Sequence, residues 1–161
     1  MKIQTGQTVL LTGASGGLGV YMARAFAERG TQLALVAYPG TDLEVVRQET
    51  ERLGVRTLTL PHDLRDPAQR RKTVELVRKE FGKIDILVNN AGVEFTCPYH
   101  ELSEENIRDV IGVNLEAAML LTRLVLPEML QRRSGHIVNI SSLAGKAGPA
   151  FKSLTRRPRR A

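Results

Sequence analysis

Along the chain, short runs of apolar, partly β-branched residues alternate with longer stretches in which apolar positions recur at helical spacing. The short runs Thr8 to Leu11, Gln32 to Val36, Thr57 to Leu60, Ile84 to Val88 and His136 to Ile140 predict five strands. The longer stretches predict helices at about Leu18 to Arg29, Asp42 to Leu53, Pro67 to Phe81 and Ser103 to Arg133, the last broken in two near Asp109. Gly30, Gly54 and Gly82 follow the first three helices, and Ser103-Glu104-Glu105 opens the fourth. Pro127 has no N–H to give and predicts a kink or local irregularity in the last segment. Such alternation implies parallel strands joined by helical crossovers, and a run such as Ile84-Asp85-Ile86-Leu87-Val88 suits a sheet covered on both faces. The expected fold class is α/β, a doubly wound parallel sheet of about five strands.

Between the first strand and the first helix lies Thr12-Gly13-Ala14-Ser15-Gly16-Gly17-Leu18-Gly19. Strand, glycine turn and helix in this order form the local geometry that binds a dinucleotide. Glycines let the backbone turn tightly and approach a pyrophosphate, and the free N–H groups at the helix start attract its charge. A turn of this kind also joins strand to helix for packing alone, so by itself it leaves both readings open.

Composition narrows the field. At 161 residues, 42% hydrophobic and 25% charged, the chain suits a single globular domain. No uninterrupted apolar run approaches the ~20 residues of a membrane span, and Met1-Lys2-Ile3-Gln4 lacks the apolar region of a secretory signal. The expectation is a cytoplasmic protein without a membrane partner. A lone cysteine, Cys97, excludes an internal disulfide and reads as a small buried or loop residue. With only His62, His100 and His136 beside it, no metal-ligand cluster is expected. The formal charge of +6 is local: Lys152, Arg156, Arg157, Arg159 and Arg160 supply five of the 23 basic residues, leaving 18 against 17 acidic ones in the body. A nearly neutral body is not built to hold nucleic acid, and the terminal run reads as a solvated tail.

Two further motifs lie at predicted strand ends. Asn89-Asn90-Ala91-Gly92 follows the fourth strand, and Ile137-Val138-Asn139-Ile140-Ser141-Ser142 forms the fifth and its exit. Ligands of open α/β sheets collect outside the carboxyl ends of the strands, so these motifs converge with the glycine turn on one crevice. Together with Asp63-Leu64 and Asn114, they closely resemble the short-chain dehydrogenase/reductase family over residues 7 to about 151, in the family's order and spacing.

That resemblance implies a Rossmann-like domain over residues 1–150, a basic and disordered tail over 151–161, and a dinucleotide cofactor. By the same resemblance, Gly13, Gly17, Leu18 and Gly19 surround the pyrophosphate and Ser15 lies near the adenosine ribose. Asp63 accepts from the adenine amino group, and Leu64 sits beside the ring. Asn90, Ala91 and Gly92 shape the wall beneath the nicotinamide ribose, and Asn89 ties neighbouring strands together. Asn114 holds a water in a proton relay, and Ser142 hydrogen-bonds the oxygen of an alcohol or carbonyl substrate. Read without the family, Asp63 is also a fitting helix cap, Asn114 a solvent-facing residue and Ser142 a turn serine. The stretch Val36-Ala37-Tyr38-Pro39 has neither the acid that binds a ribose 2'-hydroxyl nor a base for a 2'-phosphate, so the cofactor is NAD or NADP. The apolar segment Ala117 to Leu130 corresponds to a region that serves dimer contacts in complete members, and suggests a homo-oligomer.

The pattern breaks after Ser142. The family places a general acid/base tyrosine about a dozen residues on and a lysine four residues later. Counting thirteen and then four from Ser142 reaches Thr155 and Arg159. A threonine hydroxyl is far too weak an acid to replace a phenol that a nearby lysine makes more acidic. The expectation is therefore a C-terminally truncated member lacking turnover, with the fifth strand as an exposed edge. The alternative is a non-catalytic dinucleotide-binding or interaction fragment. Writing GC-rich codons for Tyr-Ala-Ala-Thr-Lys-Ala-Gly-Leu and reading one base later yields Thr-Arg-Arg-Pro-Arg-Arg-Ala and a stop. This reproduces residues 155–161 and suggests a frameshift that sequencing the gene would test.

Overall fold

The computed structural model describes residues 2–142; the expected tail, Thr155 and Arg159 lie outside the described residues. Five strands, β1 (Thr8–Thr12), β2 (Gln32–Ala37), β3 (Thr57–Pro61), β4 (Ile86–Asn89) and β5 (His136–Asn139), form one parallel sheet in the order β3-β2-β1-β4-β5. Helices α1 (Gly17–Ala27), α2 (Glu44–Arg52), α3 (Pro67–Phe81), α4 (Glu104–Ile111) and α5 (Ala117–Arg132) connect them, with a 3-10 turn at Tyr99–Glu101.

Alternation along each strand sends side chains to opposite faces, and each face meets its own helices. Val9, Leu11, Leu33 and Leu35 pack with Ala23, Ala27 and Val46 of α1 and α2. Leu10, Ala34, Val36 and Leu87 pack with Val74 and Val77 of α3 and with Leu121 and Val125 of α5. Burying each such side chain contributes about 1.5–3 kcal/mol, which makes the two-faced core the main source of stability. The doubly wound arrangement follows directly from strands that are apolar on both sides.

The strand order reverses between β1 and β4, so the chain leaves those two neighbours toward opposite sides and opens a crevice at their carboxyl ends. Asn89 spans the next gap, as expected: its Nδ2 donates to Oδ1 of Asn139 on β5 at 2.8 Å and to Thr122 Oγ1 on α5 at 3.3 Å. β5 forms the outer edge of the sheet among the described residues.

The last helical segment departs from expectation. α4 and α5 are continuous through a π turn at Gly112–Glu116 rather than broken near Asp109, and α5 runs on past Pro127 to Arg132. The resulting helix, Glu104–Arg132, is long and apolar enough by length and composition to cross a membrane, which the uninterrupted runs in the sequence did not suggest. One stripe of it, Ala117, Leu121, Val125 and Met129, is buried against the sheet. Ile111, Leu115, Met119 and Leu130 are exposed. Cys97 is half-buried in the segment between β4 and α4, in keeping with a loop residue.

Candidate dinucleotide site

β1 ends at Thr12, and Gly13 turns the chain with φ +65°, a region that only glycine enters freely. The turn packs directly against the loop after β4: a Cβ on Gly13 would lie 2.8 Å from Ala91 Cα. A Cβ on Gly19 would fall 2.1 Å from the Gly13 carbonyl oxygen. Both glycines are therefore fixed by protein packing. Gly17 is different. It opens α1, its φ is not positive, and an added Cβ would meet nothing within 4 Å.

The start of α1 is also electrostatically open. Gly16 offers no side-chain cap, and among the described residues Gly17, Leu18 and Gly19 have no backbone acceptor for their N–H groups. Such donors, with the positive end of the helix dipole behind them, form an anion site.

Thr12 joins this turn to the β4 exit. Its side chain is buried, and the hydroxyl donates to the Val88 carbonyl at 3.2 Å while accepting from the N–H groups of Asn90 and Ala91, each at 3.0 Å. Asn90 returns the link through Nδ2, which donates to the carbonyls of Thr12 at 3.0 Å and Gly13 at 3.1 Å. Thr12 lay within the sequence motif without an assigned role; its position in the network depends on β1 and β4 being neighbours.

A cleft of about 400 Å³ opens above these strands, within the size range of small-ligand sites. Gly13, Ser15, Gly17, Leu18, Gly19, Asp63, Leu64, Asn90, Ala91 and Gly92 all line it. The fold thus gathers every cofactor-binding residue expected from the sequence into one place. Tyr38, Thr41, His62, Val93 and Val113 line it too, and sequence reasoning assigned them no such role.

At the β3 end, Asp63 is held by Arg65. The Arg65 backbone N–H donates to Asp63 Oδ1 at 2.9 Å, Nε reaches both oxygens at 3.1 Å, and Nη2 donates to Oδ2 at 2.7 Å. Arg65 Nη1 bonds Asp109 of α4, and the guanidinium lies 5.6 Å from the centre of the Tyr38 ring. From α3, the buried Arg70 donates to the carbonyls of Leu64 and Arg65 and fixes the loop from beneath. The sequence did not reveal the Arg65–Asp109 pair, since the two residues are far apart along the chain.

Hydrogen bonding from Arg65 holds the Asp63 carboxyl below its ordinary pKa. The ionised form is thus favoured in the folded state, so the contribution to stability is complete above about pH 4 and is lost as pH falls through the folded value. Asp63→Asn should lower the melting temperature at neutral pH by an amount that shrinks steadily in acid. Thermal melting across that range checks it, and a difference constant with pH would contradict it.

The two expected catalytic residues stand outside the lining. Asn114, at the centre of the π turn, accepts from the Val93 N–H at 2.8 Å and donates to the Val93 carbonyl at 2.9 Å. Its side chain pins the loop after β4 rather than facing solvent alone. Ser142 lies beyond β5, whose exit is tied to β4 by the Ile140 N–H donating to the Asn89 carbonyl at 2.9 Å.

A parallel sheet with its order reversing at a glycine turn, an open helix start and a cleft above defines a Rossmann-type nucleotide-binding fold. A model of the family described as short chain dehydrogenase matches residues 7–154, and the chain belongs to that family. It is 44% identical to the Ketoacyl reductase HetN of Nostoc sp. over 154 residues, covering 96% of this chain and 54% of the relative. To the Oxidoreductase UcpA of Escherichia coli it is 37% identical, over 88% of this chain and 53% of the relative. The chain spans about half the length of the curated relatives it matches. Among solved structures, NAD+-bound xylitol dehydrogenase superposes with a TM-score of 0.86 at 32% identity, covering 94% of this chain and 58% of that one. A metagenomic short-chain oxidoreductase in complex with NADP gives 0.87 at 35% identity, covering 94% and 69%.

Proposed function

We propose that this chain forms the dinucleotide-holding part of an NAD- or NADP-dependent oxidoreductase acting on an alcohol or carbonyl. Gly17 carries the reading. Its glycine is required neither by φ nor by any protein neighbour, yet it lines the cleft at the uncapped start of α1. A pyrophosphate lying against that backbone accounts for both the missing side chain and the unpaired N–H groups. The relatives' structures with NAD+ and NADP support the same occupant.

In this reading Gly13, Gly17, Leu18 and Gly19 hold the pyrophosphate and Ser15 faces the adenosine ribose. Asp63 and Leu64 border the adenine, and Asn90, Ala91 and Gly92 form the floor under the nicotinamide ribose. A bound nicotinamide supplies hydride transfer to or from a carbon. Ser142 orients the substrate oxygen by hydrogen bonding, and Asn114 keeps the loop at Val93 in place for the proton relay. β2 ends in Ala37 followed by Tyr38, so no carboxylate there rejects a 2'-phosphate and no base there attracts one.

Proton transfer is where this chain's residues fall short. Thr155 and Arg159 stand where the family pattern calls for tyrosine and lysine, and neither supplies an acid that ionises near neutral pH. Saturating NAD+ or NADP+ should raise the melting temperature, since a ligand at 100-fold its Kd adds about 2.7 kcal/mol. The same protein should not oxidise NADPH or NADH in the presence of carbonyl substrates. Steady turnover would overturn the reading of Thr155 and Arg159.

A further inference from the structure

We propose that His62 reads the amino edge of the adenine base, accepting through Nε2, so that binding distinguishes an adenine dinucleotide from its hypoxanthine counterpart. The proposal rests on the dinucleotide reading above and assigns a residue that neither motif nor fold singled out.

His62 follows β3 directly and lines the cleft beside Asp63 and Leu64. Its Nδ1 lies 2.8 Å from Thr73 Oγ1 on α3, and that hydroxyl donates its single proton to the Gln69 carbonyl at 2.8 Å. The hydroxyl can therefore only accept from the ring. This places the imidazole proton on Nδ1 and leaves Nε2 as an acceptor, and no described residue donates to it.

The neighbouring carboxylate is already occupied. Asp63 receives the Arg65 N–H and Nε on Oδ1, and Nε and Nη2 on Oδ2, which matches the four lone-pair sites of a carboxylate. An amino group from a base would have to displace Arg65 to reach it. His62 Nε2 takes the same donor without breaking a bond.

The acceptor state depends on pH. The charged and titratable groups around His62 are Lys72 on α3, Asp63 and Arg65 on the following loop, and Tyr38 on the β2 side of the cleft. Burial first, and Lys72 second, hold the ring below its ordinary value of 6.5. The ring is thus a neutral acceptor at neutral pH, and protonation turns Nε2 into a donor. Hypoxanthine carries a carbonyl oxygen where adenine carries the amino group, so the sign of the preference should follow the protonation state.

Calorimetric titration with NAD+ or NADP+, whichever binds more tightly, and with its hypoxanthine counterpart tests this at about pH 8 and about pH 5. The adenine form should bind roughly 10-fold more tightly in base, one neutral hydrogen bond's worth, and lose that advantage in acid. His62→Phe should give a small ratio that no longer changes with pH, while Asp63→Asn should keep the pH dependence. A ratio unchanged between the two pH values, or unaffected by His62→Phe, overturns the proposal. So does a preference abolished by Asp63→Asn. Should His62→Phe fail to fold by circular dichroism, His62→Gln takes its place, with a pH-independent ratio again expected, and the wild-type series decides by itself. Binding of both ligands with a flat ratio sinks the His62 assignment alone; binding of neither sinks the dinucleotide reading with it.

Discussion

Gly17→Ala is expected to leave the fold intact and to weaken dinucleotide binding at least ~10-fold, whereas Gly19→Ala is expected to destabilise the fold itself. The two glycines sit in the same turn and differ in what surrounds them. At Gly17 an added methyl meets no protein atom within 4 Å and φ is ordinary. Alanine there costs nothing in packing and favours the helix by about 0.5–1 kcal/mol. Its methyl would occupy the space through which a pyrophosphate approaches the backbone. At Gly19 the added Cβ would lie 2.1 Å from the Gly13 carbonyl and 2.9 Å from Ala14 Cα. These are backbone atoms, so the turn must open, at a cost of about 1–3 kcal/mol or more. Melting curves and titrations on both variants separate the effects. Gly17→Ala with wild-type affinity would mean that the open face of Gly17 has nothing to do with a ligand.

The second large effect is expected from Thr12→Val. The substitution preserves shape but removes a hydroxyl that bonds three backbone groups: the Val88 carbonyl and the N–H groups of Asn90 and Ala91. Leaving such donors unpaired in a closed region costs about 1–3 kcal/mol, and the melting temperature should fall by several degrees. The loop at Asn90 would lose its tie to the glycine turn, so dinucleotide affinity should fall as well. Thr12→Ser keeps the hydroxyl and should restore both. If Thr12→Val melts and binds like the wild type, the hydroxyl is not what couples the two loops.

What could be read in advance was what repeats locally. All five strands and the first three helices appear within a few residues of their expected bounds, because apolar period and glycine stops act over one or two turns of chain. The residues of the glycine turn and of the β4 exit line one cleft, as strand-end motifs in a parallel sheet must. The π turn around Asn114 escaped notice: Gly112-Val113-Asn114-Leu115-Glu116 has ordinary helical composition, and the Val93 backbone that grips Asn114 is distant in sequence. Arg65 escaped for the same reason. Its partners Asp63, Asp109 and Tyr38 come from three segments that meet only once the sheet is assembled. His62 read as an unremarkable polar residue until Thr73 fixed its tautomer.

These later findings also change the chemistry assigned to the β3 end. An aspartate there suggests a free carboxylate awaiting a base. In the fold it is the middle of an Asp63–Arg65–Asp109 chain that braces the loop against α4, with Arg70 holding the same loop's carbonyls. The rigidity of that loop, rather than one carboxylate, is what presents Leu64 and His62 to the cleft.

The central claim is that the cleft holds a nicotinamide dinucleotide across the start of α1. Isothermal titration of the folded chain with NAD+ and with NADP+ tests it most directly. The prediction is saturable binding of at least one of them at one site per chain, lost in Gly17→Val. An absence of binding by either, with the helical and sheet content confirmed by circular dichroism in the same sample, would contradict it.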